Sequence, residues 1–127
     1  MRTYIDSDVM IWHLRGEAKA RNFFSDLVAE GVELWTGALQ RAEVVFFMRA
    51  AEETATLHFL SKFSTAPVTS EIVDSASRIF RKWNPSHGID VNDAILAATA
   101  MKTGGRIYTL NTKHYPMPDL VVIRAWR

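Results

Sequence analysis

The stretch 89–103 is the most apolar helical segment of the chain, and Ala94, Ala97, Ala98 and Ala100 leave it slim enough to lie close against a sheet. A helix of this kind is expected to be almost wholly buried. Around it, short β-prone runs alternate with helical patterns. Residues 3–5, 33–36, 66–68, 106–110 and 120–123 read as strands. Residues 9–14, 17–30, 40–51, 53–63 and 70–83 read as helices, the last broken by Asn84-Pro85-Ser86-His87-Gly88. Strands separated by helices must pair in parallel through right-handed crossovers. The expectation is an α/β domain of three layers, α/β/α, with a mainly parallel sheet of about five short strands.

The chain has 127 residues, 48% hydrophobic and 23% charged, with 6 Gly and 4 Pro, which excludes a disordered or collagenous chain and suits one compact domain. No internal repeat or linker divides it. The formal charge of +1 rules out nucleic-acid binding through a large net positive charge, leaving a local basic patch as the alternative. With 0 Cys there is no disulfide, no thiolate nucleophile and no sulfur ligand, so a metal must be held by oxygen or imidazole; oxygen points to Mg²⁺ or Mn²⁺. No run reaches the roughly 18 apolar residues of a membrane helix, and a cytoplasmic protein is expected.

In an open parallel sheet the functional crevice lies beyond the carboxyl ends of the strands, which gives weight to acids placed just after strands. Asp6 and Asp8 follow the first strand and Asn111 follows the fourth. As an N-cap and a first-turn acid, Asp6 and Asp8 also have a purely structural reading. Glu43 sits in Ala42-Glu43-Val44-Val45-Phe46-Phe47-Met48, where a carboxylate needs a metal or a basic partner such as Arg41 or Arg49. Asp90 and Asp93 share a helix face at a spacing of three, which also suits a cap and its reciprocal acid. Taken together, Asp6, Glu43 and Asp93 belong to three elements that can converge at one sheet edge, where only cations would relieve their repulsion.

These residues resemble the PIN domain family, and within it the VapC-like toxin nucleases of type II toxin–antitoxin pairs. Tyr4-Ile5-Asp6-Ser7 looks like the family's first strand and acid, and Ala42-Glu43 is similar to its second acid. Val91-Asn92-Asp93-Ala94-Ile95-Leu96-Ala97-Ala98-Thr99-Ala100 resembles its most characteristic stretch. Ile107-Tyr108-Thr109-Leu110-Asn111-Thr112-Lys113-His114-Tyr115 resembles its closing segment, with Asn111 at the fourth acidic position.

The resemblance implies a metal-dependent endoribonuclease toxin that hydrolyses RNA with a metal-activated water. Since Mg²⁺ takes one or two carboxylates directly, Asp6 and Asp93 are the expected inner ligands, with Mn²⁺ an alternative ion. Glu43 would act through water, and Asp90 and Asn111 through water or a second ion. Arg15, Lys19, Arg41, Lys113 and His114 flank these acids in sequence and are the candidate RNA contacts. His13, His58 and His87 are given no metal role. Four Trp and the Phe46-Phe47-Met48 run suggest apolar surface for a homodimer and for a small antitoxin that covers the acidic site.

Two other readings compete. Asp6-Ser7-Asp8-Val9 resembles the nucleophile motif of haloacid-dehalogenase-like phosphatases, although the Gly-Thr turn common there is missing. A non-catalytic PIN-like module that binds RNA or protein is the third, favoured by the neutral Asn111.

Overall fold

A computed structural model describes residues 1–127. In chain order it runs β1 (Arg2–Ile5), α1 (Ser7–Leu14), α2 (Ala18–Ala29), β2 (Glu33–Gly37), α3 (Ala38–Val45), α4 (Glu53–Leu60), β3 (Ser64–Ala66), α5 (Ser70–His87), α6 (Val91–Thr103), β4 (Arg106–Thr109) and β5 (Val122–Arg124). One-turn 3₁₀ helices occupy Ala50–Glu52 and Thr112–His114. All strand pairs are parallel, in the order β3-β2-β1-β4-β5. The chain builds outward from β1 on one side and then returns to add β4 and β5 on the other. The reversal opens a crevice at the carboxyl ends of β1 and β4, where sheets of this kind place their sites.

Strand alternation divides the interior into two cores. Tyr4 points to one face, against Ile72 and Ala76 of α5 and the buried face of α6. Ile5 points to the other, with Val9 and Met10 of α1, Phe23, Phe24 and Leu27 of α2, and Phe59 and Leu60 of α4. Residues Ala94 to Ala100 are buried without interruption, as the alanine-rich sequence predicts. The second core is largely aromatic: Phe24 meets both Phe59 and Phe63 edge-on.

Several boundaries differ from the sequence reading. The helix expected over 70–83 continues to His87 with Pro85 inside it. Its end is tied down by local capping bonds: Gly88 N–H donates to the Asn84 carbonyl at 2.9 Å, and Asn84 Nδ2 donates to the Ile89 carbonyl at 2.9 Å. Gly88 closes the helix at φ 62°, in the left-handed region that glycine enters without a Cβ clash.

The helix expected over 40–51 ends instead at Val45, because a new start forms where the Glu52 carboxylate accepts from Arg49 N–H at 2.7 Å. The third strand lies two residues earlier than expected and the fifth two later, each fixed by pairing: Thr36 faces Thr65, and Tyr108 faces Ile123. No helix is long and apolar enough to cross a membrane.

Candidate active site

Asp6 is the residue where β1 gives way to α1. Its backbone is extended, its carboxylate accepts from Ser7 N–H at 2.8 Å, and so it is the N-cap that its position suggested. It is also buried, with only 8% of its surface exposed, and its other oxygen accepts from Thr109 Oγ1 at 2.9 Å and Tyr115 OH at 2.8 Å. All these donors are neutral. Burial pushes the Asp6 pKa up, against the lowering effect of Tyr115, Ser7 and Thr109, and the charge of Asp90 adds to the rise.

Tyr115 OH also reaches Asp93 Oδ1 at 3.3 Å, so one phenol stands between two carboxylates from different elements. Burial and the charges of Asp6 and Asp93 hold the Tyr115 pKa well above its ordinary value, which keeps the hydroxyl a donor. Asp93 forms a reciprocal cap with Asp90: Asp93 N–H donates to Asp90 Oδ1 at 2.7 Å, and Asp90 N–H donates to Asp93 Oδ2 at 3.1 Å. Structural and functional readings therefore coincide at Asp93, whose carboxylate caps α6 and faces the crevice. Its pKa rises to about 6 because of burial and the charges of Asp90 and Asp6, with Asp90 N–H and His114 pulling the other way.

Glu43 has no basic partner. Its oxygens accept from Ser7 Oγ at 3.3 Å and Asn92 Nδ2 at 3.4 Å, groups that neighbour Asp6 and Asp93 in sequence. Neither Arg41 nor Arg49 pairs with it, since the ion pairs of the chain are Lys102–Glu71 and His114–Asp93. Burial and then the charge of Asp6 raise the Glu43 pKa. Asp8 serves as a brace: it accepts from Val9 N–H at 2.7 Å and, across the crevice, from Leu110 N–H at 3.1 Å. Its pKa rises to about 6 through burial and the charge of Asp6.

The donor set suits a divalent cation. Four carboxylates are pushed towards protonation by burial and, in part, by one another, and no lysine or arginine neutralises them. In this geometry no three His, Asp or Glu side chains form a ready cage.

The basic candidates separate. Arg15 lines the same cleft as Glu43, a space of about 410 Å³ floored by Ile11, Leu14 and Val44 and rimmed by Phe47. His114 lies within the acid cluster and not beside it, with Nδ1 3.1 Å from Asp93 Oδ2 and 3.0 Å from Asn111 Nδ2. Lys19 bonds instead to the Arg127 carbonyl, with no acid of the cluster as its partner. Lys113 is exposed and Arg41 is half-buried on α3.

Of the four Trp, Trp35, Trp83 and Trp126 pack against the cores and Trp12 is 44% exposed, while Phe46 and Phe47 are 79% and 84% exposed. Sequence reasoning assigned no role to Thr109, Tyr115, Ser7 or Asn92, which orient the acids. For Thr109 a signal existed, since strand alternation puts this polar residue on the same inward face as Ile107. Tyr115 reaches the site from a loop, and local pattern carries no such information.

The PIN domain family model matches residues 3–119. Ribonuclease VapC19 of Mycobacterium tuberculosis is 36% identical over 118 residues, covering 91% of this chain and 94% of that protein. The crystal structure of VapBC2 from Rickettsia felis bound to a DNA fragment from their promoter is similar with a TM-score of 0.79, at 18% identity and 100% of both chains. A toxin–antitoxin complex from Klebsiella pneumoniae is similar with a TM-score of 0.77, at 20% identity and 98% of both chains. The solved structures speak to the fold, whereas the family model spans Asp6, Glu43 and Asp93 and the relative covers most of the sequence. This chain belongs to the PIN domain family.

Proposed function

We propose that the chain is a divalent-metal-dependent endoribonuclease acting as the toxin of a toxin–antitoxin pair. The observation that carries this reading is the gathering of Asp6, Glu43 and Asp93 around one crevice with no lysine or arginine to neutralise them and His114 alone beside Asp93. Its relative at 36% identity is named a ribonuclease. Asp6 and Asp93 would hold the ion directly, with Glu43 acting through water and Asp90 and Asn111 at the margin or at a second ion. Mg²⁺ is the expected ion and Mn²⁺ the alternative.

A bound ion of this class lowers the pKa of a coordinated water and offsets charge on the phosphate oxygens. The chain's own residues do the rest. Tyr115 and Thr109 fix the Asp6 carboxylate from below, leaving it no freedom to turn away from the crevice. Glu43, held by Ser7 and Asn92, presents a carboxylate whose raised pKa suits it to accept a proton from the attacking water. In-line attack then breaks the bond to the leaving 3′-oxygen and leaves a 5′-phosphate. Arg15 borders the crevice through the Glu43 cleft and contacts the RNA backbone, with Arg41, Lys113 and His114 on its rim.

The partner is a small antitoxin whose segment seats its apolar side chains by Phe47 and covers the acids. A second copy of the chain is the other expected partner, giving a homodimer. The phosphatase reading loses ground, because Asp8, which it needs as acid and base, is committed to Val9 N–H and Leu110 N–H.

Incubation of the purified chain with single-stranded and structured RNAs, with and without EDTA, tests the proposal. Cleavage that EDTA abolishes, and that Asp6→Asn and Asp93→Asn each reduce by at least 100-fold (on the order expected for a group that binds the transition state), supports it. RNA bound but never cut would select the non-catalytic module.

A further inference from the structure

Gln40 is the one side-chain amide buried in the interior, with 1% of its surface exposed. It stands on α3 one turn before Glu43 and on the same side of the helix. Its Nε2 donates to the Asn92 carbonyl in the first turn of α6 at 3.4 Å, while no donor of the chain reaches its Oε1. The reverse orientation of the amide would set oxygen against oxygen, so the Asn92 carbonyl decides which end faces it. A glutamine at the third position of a helix can accept from the backbone N–H of the capping residue, here Gly37, but this oxygen accepts from nothing. An orphaned acceptor in the interior costs stability, a cost that an apolar side chain of similar size would not carry. Packing alone therefore does not account for an amide at this position.

Gly37 points to the same amide. Its φ of −88° and ψ of 158° are an extended conformation open to any residue, so the backbone does not call for glycine here. Space does. A Cβ at this position would collide with Gln40 Oε1 and lie 3.3 Å from Leu96 Cδ1. The room left by the absent side chain is the room that the Gln40 amide fills.

Asn92 is gripped twice from α3: its carbonyl accepts from Gln40, and its Nδ2 donates to Glu43 Oε1 at 3.4 Å. The next residue in the chain is Asp93. We infer that Gln40, in the space left by Gly37, is a positioning residue that locks the start of α6 to α3 and so fixes the Glu43 carboxylate relative to Asp93. This inference deepens the hydrolytic reading proposed above and rests on it. Both bonds are long, as bonds at a site often are before substrate is bound. Two of them, one turn apart on a single helix, oppose a relative sliding of the helices that one alone would allow. The charge of Asp6 acts on Glu43 and Asp93 alike, and a neutral amide can hold the two helices against that repulsion without adding to it.

Single-turnover cleavage of one RNA over a range of protein concentrations, beside thermal melts, tests the inference in the wild type, Gln40→Met, Gly37→Ala and the double variant. Met keeps the bulk of Gln40 without its polar atoms, and the Cβ of Gly37→Ala mainly displaces the far end of that flexible side chain. Each single variant is expected to slow the maximal rate about tenfold, a part of the roughly 100-fold that a 1 Å misplacement can cost. The protein concentration giving half the maximal rate should stay the same. Gln40→Met should melt no lower than the wild type, since the orphaned acceptor is gone. The double variant should be no slower than the slower single one, because both changes remove the same contact. A wild-type rate in either single variant, a shift in the half-maximal concentration in place of the rate, or losses that multiply in the double variant would overturn the inference and leave the hydrolytic reading in place. A Gln40→Met chain that melts well below the wild type, or does not fold, would make Gln40 a structural residue and overturn the inference as well. A wild type that cuts no RNA would overturn the hydrolytic reading, and the inference with it.

Discussion

A buried carboxylate is costly unless its charge is matched, and Asp6 meets only neutral donors. In the proposed function such a residue is tolerated for what it does with a cation. Glu43 differs in being half-buried and more loosely held, by contacts of 3.3 and 3.4 Å, which suits a group that acts on water more than one that anchors a metal. Glu43→Gln is therefore expected to lower single-turnover cleavage by about 100-fold or more, in the range of a lost general base, while metal affinity falls only about threefold. Calorimetry beside single-turnover kinetics separates the two effects; an equal loss in both would make Glu43 an inner ligand. The acids themselves could be picked out in the sequence, Asp6 and Asp93 by their places at helix starts and Glu43 by its apolar surroundings. Their orienting partners could not, because Tyr115 comes to Asp6 across 109 positions of sequence.

Among the elements, the start of α1 and the end of β4 are joined by Asp8, which spans from Val9 N–H to Leu110 N–H. An amide can accept only one of these two bonds, and its nitrogen then faces the other N–H, a loss that opposes the relief of charge beside Asp6. Asp8→Asn is thus expected to keep cleavage within about threefold of wild type and to leave the melting temperature of the metal-free chain within a few degrees of it, roughly the span of 1 kcal/mol for a domain of this size. A phosphatase-like loss of all activity in that variant would return Asp8 to the chemistry. Helix identities follow from apolar periodicity, because each helix buries one face or, in α6, nearly all of them, whereas short strands such as β5 follow from β-prone composition. The misplaced ends share another cause. The last turn of α5 survives Pro85 because Asn84 reaches Ile89, and α3 stops early because Glu52 starts a new turn. Both turn on side-chain caps three to five residues away, which the periodicity of the apolar residues does not report.

For the whole molecule, the crevice sets a pH dependence. Asp8 and Asp93 rise from 3.8 to about 6 on folding, so between those values the folded chain binds more protons than the unfolded one. Their contribution to stability is full below about pH 4 and is lost as pH rises through about 6. A cation binds the ionised, folded form and restores what ionisation removes. Thermal melts in EDTA should show Asp6→Asn gaining on the wild type as pH goes from 4 to 7, and added Mg²⁺ at pH 7 should close that gap by stabilising the wild type alone. A constant difference across this range would mean that the acids do not repel one another in the folded chain.

The central claim is that this edge of the sheet directs a water molecule at RNA phosphorus. Cleavage in ¹⁸O-labelled water, followed by mass spectrometry of the fragments, tests it most directly. The expected result is one ¹⁸O in the 5′-phosphate of the downstream fragment, with a plain 3′-hydroxyl on the upstream one. A 2′,3′-cyclic phosphate without ¹⁸O would show attack by the RNA's own 2′-hydroxyl and contradict the assignment of Asp6, Glu43 and Asp93 to water-driven hydrolysis.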